Sequence, residues 1–391
     1  MKINEVFYAL IFVPKKILIN VNSAWNLLNF RAGLISELVR SGYEVVAVAP
    51  ADEYVLKLES LGCRFVNLKM DNQGTNPIRD LLLLWRYCRL LKVEKADLCL
   101  FYTVKPNVFG SLASSICGTP YINNVAGLGA VFIGGGWLKR VVSTLYKIAF
   151  KYSSKVFFQN KDDLNLFREN RIISHQSRDV LPGSGVNLKY FSPIQNLTGS
   201  LFNSTFKFLL IARMLKDKGV VEYVNAAKML KESGVKAEFC LLGFLDVQNP
   251  AAISTEQMKA WTEQGFVRYL GTSDDVREHI SQADCIVLPS YREGTPRSLL
   301  EAAAMAKPII TTNVVGCKEV VVDDENGMLC EVKNSIDLAS KMNKMLLLSE
   351  DQRRLMGVKG RLKMEQEFDE KIVIQKYVQA IELALKDQLV P

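Results

Sequence analysis

At 391 residues, with 49% hydrophobic and 23% charged side chains, the chain carries apolar content for two or three full cores, which excludes disordered and fibrous classes. Its net charge of +8 is uneven: residues 1–195 hold 24 Lys/Arg against 14 Asp/Glu, and residues 196–391 hold 25 against 27. A basic first half predicts an anionic partner on that side, and eight cysteines with no C-x-x-C or His at zinc spacing exclude structural zinc and point to reduced thiols.

The longest apolar run, residues 6–13, has eight residues, far short of the roughly 20 that cross a bilayer. No small-residue cleavage pattern follows it, so residues 1–15 read as an N-terminal extension of uncertain role. Short apolar runs then alternate with helical patterns. Strands are predicted at 17–21, 44–49, 64–68, 96–101, 120–123 and 155–159, with helices near 30–41, 53–61, 77–92, 106–117 and 136–152. The scheme repeats with strands at 206–212, 237–243, 266–270, 284–289 and 308–311, and a closing helix at 369–386. Alternation of this kind predicts an α/β chain with two doubly wound, Rossmann-like domains facing a cleft. The polar stretch 190–200 contains Pro and Gly and matches neither period, so it reads as a linker. The expected division is a first domain at 16–190, a linker at 191–205, a second domain at 206–367 and a terminal helix at 368–391.

A dinucleotide fingerprint is absent. The first strand-to-helix turn, 21–31, contains no glycine, and Gly127-Leu128-Gly129 is followed by Phe132 where a third glycine belongs.

The second half carries a denser constellation. A strand ending at Ala212 runs into Arg213-Met-Leu-Lys-Asp-Lys218-Gly, and ligands of open parallel sheets bind at the carboxyl ends of strands. There Arg213 and Lys218 suit a diphosphate, although by themselves they equally describe a solvated basic loop. Next, the buried pattern 284–289 ends at Ser290 and leads into Tyr-Arg-Glu293-Gly294-Thr295-Pro296-Arg-Ser-Leu-Leu-Glu301. Thr295 is expected to cap a helix with Pro296 in its first turn, running to about 306, with its free amides forming an anion site beside Gly294. Carboxylates next to an anion site make sense as acceptors from neutral hydroxyls on either side of the anion. A nucleoside diphosphate sugar has that layout.

The runs "ARMLKDKG", "LLG" (ending at Gly243), "LPSYREGTPRSLLEAAAMAKPII" and "NGMLCEV" resemble the donor half of the glycosyltransferase family 4 (group 1) enzymes. The runs "FYTVKPNVFGSLAS", "NNVAGLGAVF", "VFFQNKDDLNLF" and "PGSGVNLKYF" are similar to a bacterial subgroup acting on polyprenyl-diphosphate-linked sugars in protein glycosylation, capsule and O-antigen assembly. The resemblance implies a glycosyltransferase B fold whose last helix crosses back to the first domain. It also implies retaining transfer of a hexose or N-acetylhexosamine from a UDP-sugar, without metal or other cofactor, at the cytoplasmic face of the inner membrane. Glu293 and Glu301 match the family's E-x7-E pair, and Arg213 and Lys218 its basic pair. The implied roles are catalytic for Arg213, Lys218 and Glu293, and donor-binding for Gly243, Ser290, Gly294, Thr295, Pro296 and Glu301. Two departures stand out: the first loop lacks the glycine pair of many relatives, and Ala126-Gly127 stands where many have His-Gly. A UDP-sugar 2-epimerase-like isomerase of the same fold is the alternative, as is a lipid A–core or soluble acceptor.

In the basic half, residues 136–152 form a helix pattern with no acidic residue. Its broad apolar arc holds Trp137, with Arg140, Lys147 and Lys151 at the margin. That rim suits the headgroups of an anionic membrane, and equally a sheet-packed helix with a solvated basic edge. Lys105, after the fourth strand, is an expected contact for acceptor phosphates by the subgroup resemblance. No nucleic-acid motif is present.

Overall fold

The computed structural model describes residues 14–71, 76–127, 137–174, 176–194, 205–245 and 249–387. The first domain contains β1 (Lys16–Asn20), α1 (Ala24–Arg40), β2 (Glu44–Ala49), α2 (Val55–Glu59), β3 (Arg64–Asn67), α3 (Pro77–Glu94) and β4 (Leu98–Tyr102). It continues with α4 (Ser111–Cys117), β5 (Tyr121–Val125), α5 (Trp137–Ala149), β6 (Lys155–Phe158), α6 (Lys161–Glu169) and β7 (Ser177–Val180). Among the described residues these strands form one parallel sheet in the order β3-β2-β1-β4-β5-β6-β7.

The second domain contains β8 (Phe206–Ile211), α7 (Val220–Glu232), β9 (Ala237–Leu242), α8 (Thr255–Glu263), β10 (Arg268–Tyr269), α9 (Arg277–Gln282) and β11 (Cys285–Leu288). Then follow α10 (Arg297–Ala304), β12 (Ile309–Thr312), β13 (Gly327–Cys330), α11 (Ser335–Leu347), α12 (Glu350–Lys363) and α13 (Glu370–Lys386). Its strands form a second parallel sheet, β10-β9-β8-β11-β12-β13. The α/β class expected from the alternating pattern is thus the class of the structure.

Central strands such as β1 and β4 are buried on both faces, which is why they read as continuous apolar runs. Helix starts follow local chemistry. The Ser23 side chain accepts from the Asn26 amide to open α1, and the Asn160 side chain accepts from the Asp163 amide to open α6. Five elements have no counterpart in the sequence reading, among them α11 and α12, which follow the last predicted strand. β7 is a polar edge strand, α6 is short and mostly charged, and β13 is a four-residue strand after Asn326. The predicted helix at 106–117 opens as a π-helical turn, Pro106–Gly110, before α4. Residues 1–13 and 195–204 lie outside the described residues, so the predicted extension and most of the linker carry no structural description.

The final helix returns to the first domain. Val373, Tyr377, Ala380, Ile381 and Ala384 of α13 share a core with α1, β1 and β4, and Asn124 Nδ2 donates to the Tyr377 hydroxyl at 2.7 Å. A polar seam closes the cleft floor. Asp163 of α6 is fully buried and accepts from Arg292 of the second domain. Asn160 Nδ2 donates to the Gly294 carbonyl at 3.2 Å, and Thr295 Oγ1 to the Gln159 carbonyl at 3.2 Å. Gly294 is required here, because a Cβ would collide with the Ala126 carbonyl oxygen. Burial pushes the Asp163 carboxyl above its ordinary range, and Arg292 opposes that shift.

Replacing Arg292 by Ala strands a buried carboxylate and is expected to cost about 3 kcal/mol near pH 8. The loss should shrink as pH falls, because a group whose folded pKa is raised takes up its proton more readily in the folded state. Urea unfolding of parent and variant at pH 8 and pH 5 checks both statements; equal midpoints would overturn the seam's role.

Candidate active site

Both sheets present the carboxyl ends of their strands to one cavity of about 730 Å³, bounded by α1 and α13 on one side and by β8, β9 and α10 on the other. A cavity of this size between two domains is of the kind that holds a nucleotide-sized ligand.

β8 runs into this cavity and hands over to the 3-10 turn Lys216–Lys218. Lys218 Nζ lies 2.6 Å from Glu293 Oε1, and Ser290 Oγ lies 2.8 Å from the same oxygen. Ser290 is fully buried and also reaches the Asp217 carbonyl at 3.1 Å, so it orients Glu293 from behind and does not line the cavity. Arg213 is exposed toward the cavity and has no ion-pair partner among the described residues. Gly243 closes β9 with φ +143°, and a Cβ there would strike the Ala212 carbonyl, so only glycine lets the two strand ends meet beside Arg213.

The segment before α10 differs from the expectation in a physically clear way. Pro296 is the N-cap, in extended conformation, and Thr295 makes no capping hydrogen bond. Its hydroxyl is drawn instead to the Gln159 carbonyl across the seam and to the Gly294 carbonyl. The helix spans Arg297–Ala304 and does not reach 306, where Ala306 takes φ 57°. Thr295, Pro296 and Glu301 line the cavity; Gly294 does not, because it is pressed against the first domain.

Glu301 is buried on the second turn of α10. Arg297, one turn earlier, donates from Nε to Glu301 Oε1 at 2.8 Å and from its terminal nitrogen to the Asn29 carbonyl of α1. Its guanidinium also sits 5.4 Å from the Phe30 ring centroid. Burial raises the Glu301 carboxyl, while Arg297 pulls it down and Asp275 adds to the rise. Glu370 of α13 is raised the same way, by burial first, with Arg297 again opposing. One guanidinium therefore serves carboxylates from two elements and a carbonyl from the opposite domain.

Arg297 was absent from the sequence reading, although its i, i+4 spacing to Glu301 was visible. Tyr190, read as linker, lines the cavity with Arg277 stacked 3.7 Å from its ring centroid. At the rim, Tyr54 and Lys57 reach Asp274 at 2.8 and 3.0 Å, and Trp25 meets Phe244 edge-on at 6.2 Å. No local pattern marks these cross-domain pairs.

The residues expected on the acceptor side stand apart from this cluster. Lys105 is paired with Asp80 at 2.7 Å and largely buried, so its charge is already balanced. Arg140 and Lys147 on α5, and Lys151 just after it, are exposed, while the Trp137 side chain lies outside the described residues. The expected apolar arc divides: Ala149 is buried in the core with Val142 and Leu145 partly buried against it, whereas Val141, Ile148 and nearby Tyr152 are exposed.

Residues 199–362 match the family model described as glycosyl transferases group 1, and residues 30–183 match the glycosyl transferase 4-like domain. The N,N'-diacetylbacillosaminyl-diphospho-undecaprenol alpha-1,3-N-acetylgalactosaminyltransferase of Campylobacter jejuni is 32% identical over 372 residues, 92% of this chain and 96% of its own. The UDP-Gal:alpha-D-GlcNAc-diphosphoundecaprenol alpha-1,3-galactosyltransferase of Escherichia coli is 24% identical over 70% of this chain and 72% of its own. Among solved structures, HepE of Anabaena in complex with UDP superposes with a TM-score of 0.75 at 18% identity, covering 95% of this chain and 100% of that one.

Replacing Arg297 by Met leaves Glu301 without its cation. Because Arg297 is 21% exposed, the expected cost near pH 8 is about 2 kcal/mol, below that of a fully buried pair. The Glu301 carboxyl should then titrate at higher pH than in the parent, read by NMR on carboxyl-labelled protein. An unchanged titration would overturn the pairing.

Proposed function

The chain belongs to the group 1 glycosyltransferases, of glycosyltransferase B fold, and within that family we propose that it is a retaining, UDP-sugar-dependent enzyme. It moves a hexose or N-acetylhexosamine onto a polyprenyl-diphosphate-linked saccharide in cell-surface polysaccharide or glycoprotein glycan assembly. The observation that carries this reading is the charge arrangement at the end of β8: Arg213 without an ion-pair partner among the described residues, beside Lys218 held on Glu293 at 2.6 Å. The C. jejuni and E. coli relatives, both named for diphospho-undecaprenol-linked acceptors, support the acceptor class.

In this reading the donor diphosphate takes Arg213 as a planar fork and competes with Glu293 for Lys218. Glu293 Oε1 stays anchored by Ser290, which leaves Oε2 for a sugar hydroxyl. Glu301, paired with Arg297, accepts from the ribose diol. The bond between the anomeric carbon and the diphosphate oxygen breaks as the acceptor oxygen bonds the same carbon from the same face. The acceptor proton passes to the departing phosphate oxygen. Arg213 and Lys218 stabilise the charge that develops on the leaving group, a task a divalent ion performs elsewhere.

The acceptor is membrane-linked in this reading, and the protein works peripherally at the cytoplasmic face of the inner membrane. No helix among the described residues is long and apolar enough to cross a membrane. The exposed basic margin of α5 supports contact with an anionic surface.

Purified protein supplied with a panel of UDP-sugars and polyprenyl-diphosphate-linked mono- and disaccharides should give an α-linked product from an α-linked donor, read by NMR. A β-linked product overturns retention, and donor conversion without acceptor overturns transfer in favour of the isomerase. Lys218→Ala should lower turnover by about 10²–10³ while unfolding stays cooperative. Near-parental turnover would remove Lys218 from the machinery.

A further inference from the structure

Helix α3 carries an apolar stripe on its outer face. Ile78, Leu81, Leu82 and Trp85 fall at i, i+3, i+4 and i+7 and are 69%, 66%, 48% and 57% exposed. A buried stripe of Leu83, Tyr87, Leu90 and Leu91 holds the same helix to the sheet, so the outer stripe is not needed for packing. The surrounding charge is basic. Arg89 sits 5.7 Å from the Trp85 ring centroid, Lys92 is exposed, and the acidic neighbours are engaged: Asp80 with Lys105, Asp71 with Arg79, and Glu94 with Arg64 and Lys16.

The face continues beyond α3. α3 packs against α4, and α4 against α5, all on one side of the first sheet. Val104, Ile116, Val141, Ile148 and Tyr152 are exposed along this row, beside the Arg140, Lys147 and Lys151 margin. We propose that this row, led by the α3 stripe, is the surface that docks the protein on an anionic bilayer. The proposal rests on the membrane-linked acceptor reading and assigns it to a helix that the sequence pattern did not single out.

Charge decides between occupants. A second copy seated on the same face would bring arginines and lysines against arginines and lysines, whereas phosphate headgroups neutralise them. Apolar side chains ringed by basic ones match the depth profile of a headgroup layer over acyl chains. Position agrees. α3 follows β3 in a parallel sheet, so its first turns lie at the carboxyl edge of the strands, on the sheet face opposite α1 and α13. Asp80 in the first turn of α3 holds Lys105, which begins the turn after β4, and so fixes the stripe at that same strand edge. A bilayer on the stripe would bring a diphosphate headgroup to that edge.

The test is co-sedimentation of the full chain, without substrates, with mixed phosphatidylglycerol–phosphatidylethanolamine vesicles. Leu81→Ser/Trp85→Ser should lower vesicle partition by about tenfold or more. Arg89→Gln/Lys92→Gln should lower it about fivefold per charge on anionic vesicles and leave neutral vesicles unaffected. These side chains are exposed, so unfolding midpoints should stay at the parental value, with Ile78→Ser as an independent variant if one shifts. Turnover on a soluble acceptor with a short prenyl chain should not change. Parental partition by the Leu81/Trp85 variant overturns the proposal. So does failure of the parent to bind vesicles, or a parental dimer that the variant breaks in light scattering. Vesicle binding through α3 with no transfer to any acceptor would overturn the proposed function alone.

Discussion

Asp163 is fully buried in the first domain, and its cation comes from the second. A buried carboxylate without a partner costs several kcal/mol, so the Arg292 contact holds the loop before α10 to one place. Glu293 is the next residue. Its position relative to the first domain is therefore set by a pair that never touches the cavity. Gly294 and Thr295 extend the same seam onto Ala126 and Gln159, and the helix carrying Glu301 starts from there.

On that seam the cavity is lined by carboxylates that already have cations: Glu293 with Lys218, and Glu301 with Arg297. Arg213 has none among the described residues. An incoming dianion would find the Arg213 guanidinium, the buried Arg31 guanidinium, which likewise has no ion-pair partner among the described residues, and one lysine that must be exchanged. Neutral hydroxyls would find two anchored carboxylates. That is the arrangement a nucleoside diphosphate sugar presents in the proposed reading. Arg297 adds a second consequence, since it bonds Glu301 and the α1 backbone together and so links the α10 wall of the cavity to the facing domain.

Much of this was legible without coordinates. Central strands such as β2 and β11 are apolar runs because both faces are buried, and their bounds follow from composition. Arg213, Lys218, Glu293 and Glu301 stood out because they sit at strand ends within a run of recognisable spacing. Part of what was missed has a common character. β7 and α6 are short and polar, so periodicity carries little signal there, and their stability comes from edge pairing and an Asn cap. Thr295 has good capping chemistry, yet the Gln159 carbonyl competes for its hydroxyl. The Trp85 stripe on α3 carries no distinguishing signal in the sequence, because a helix apolar on two faces does not reveal which one the sheet covers.

The amino-acid sequence by itself determined the α/β class, the two-domain alternation, the strand-end basic pair and the spaced glutamates, because each depends on local periodicity or on residues close in the chain. Only the tertiary structure decided which charges pair, which hydroxyl caps, and which apolar face stays outside. Arg292 finds Asp163 and Arg297 finds Asn29 across a cleft between residues far apart in sequence. Such contacts are fixed by the packing of two sheets and a returning helix, and desolvation at that packed boundary, which no local pattern encodes, sets their strength.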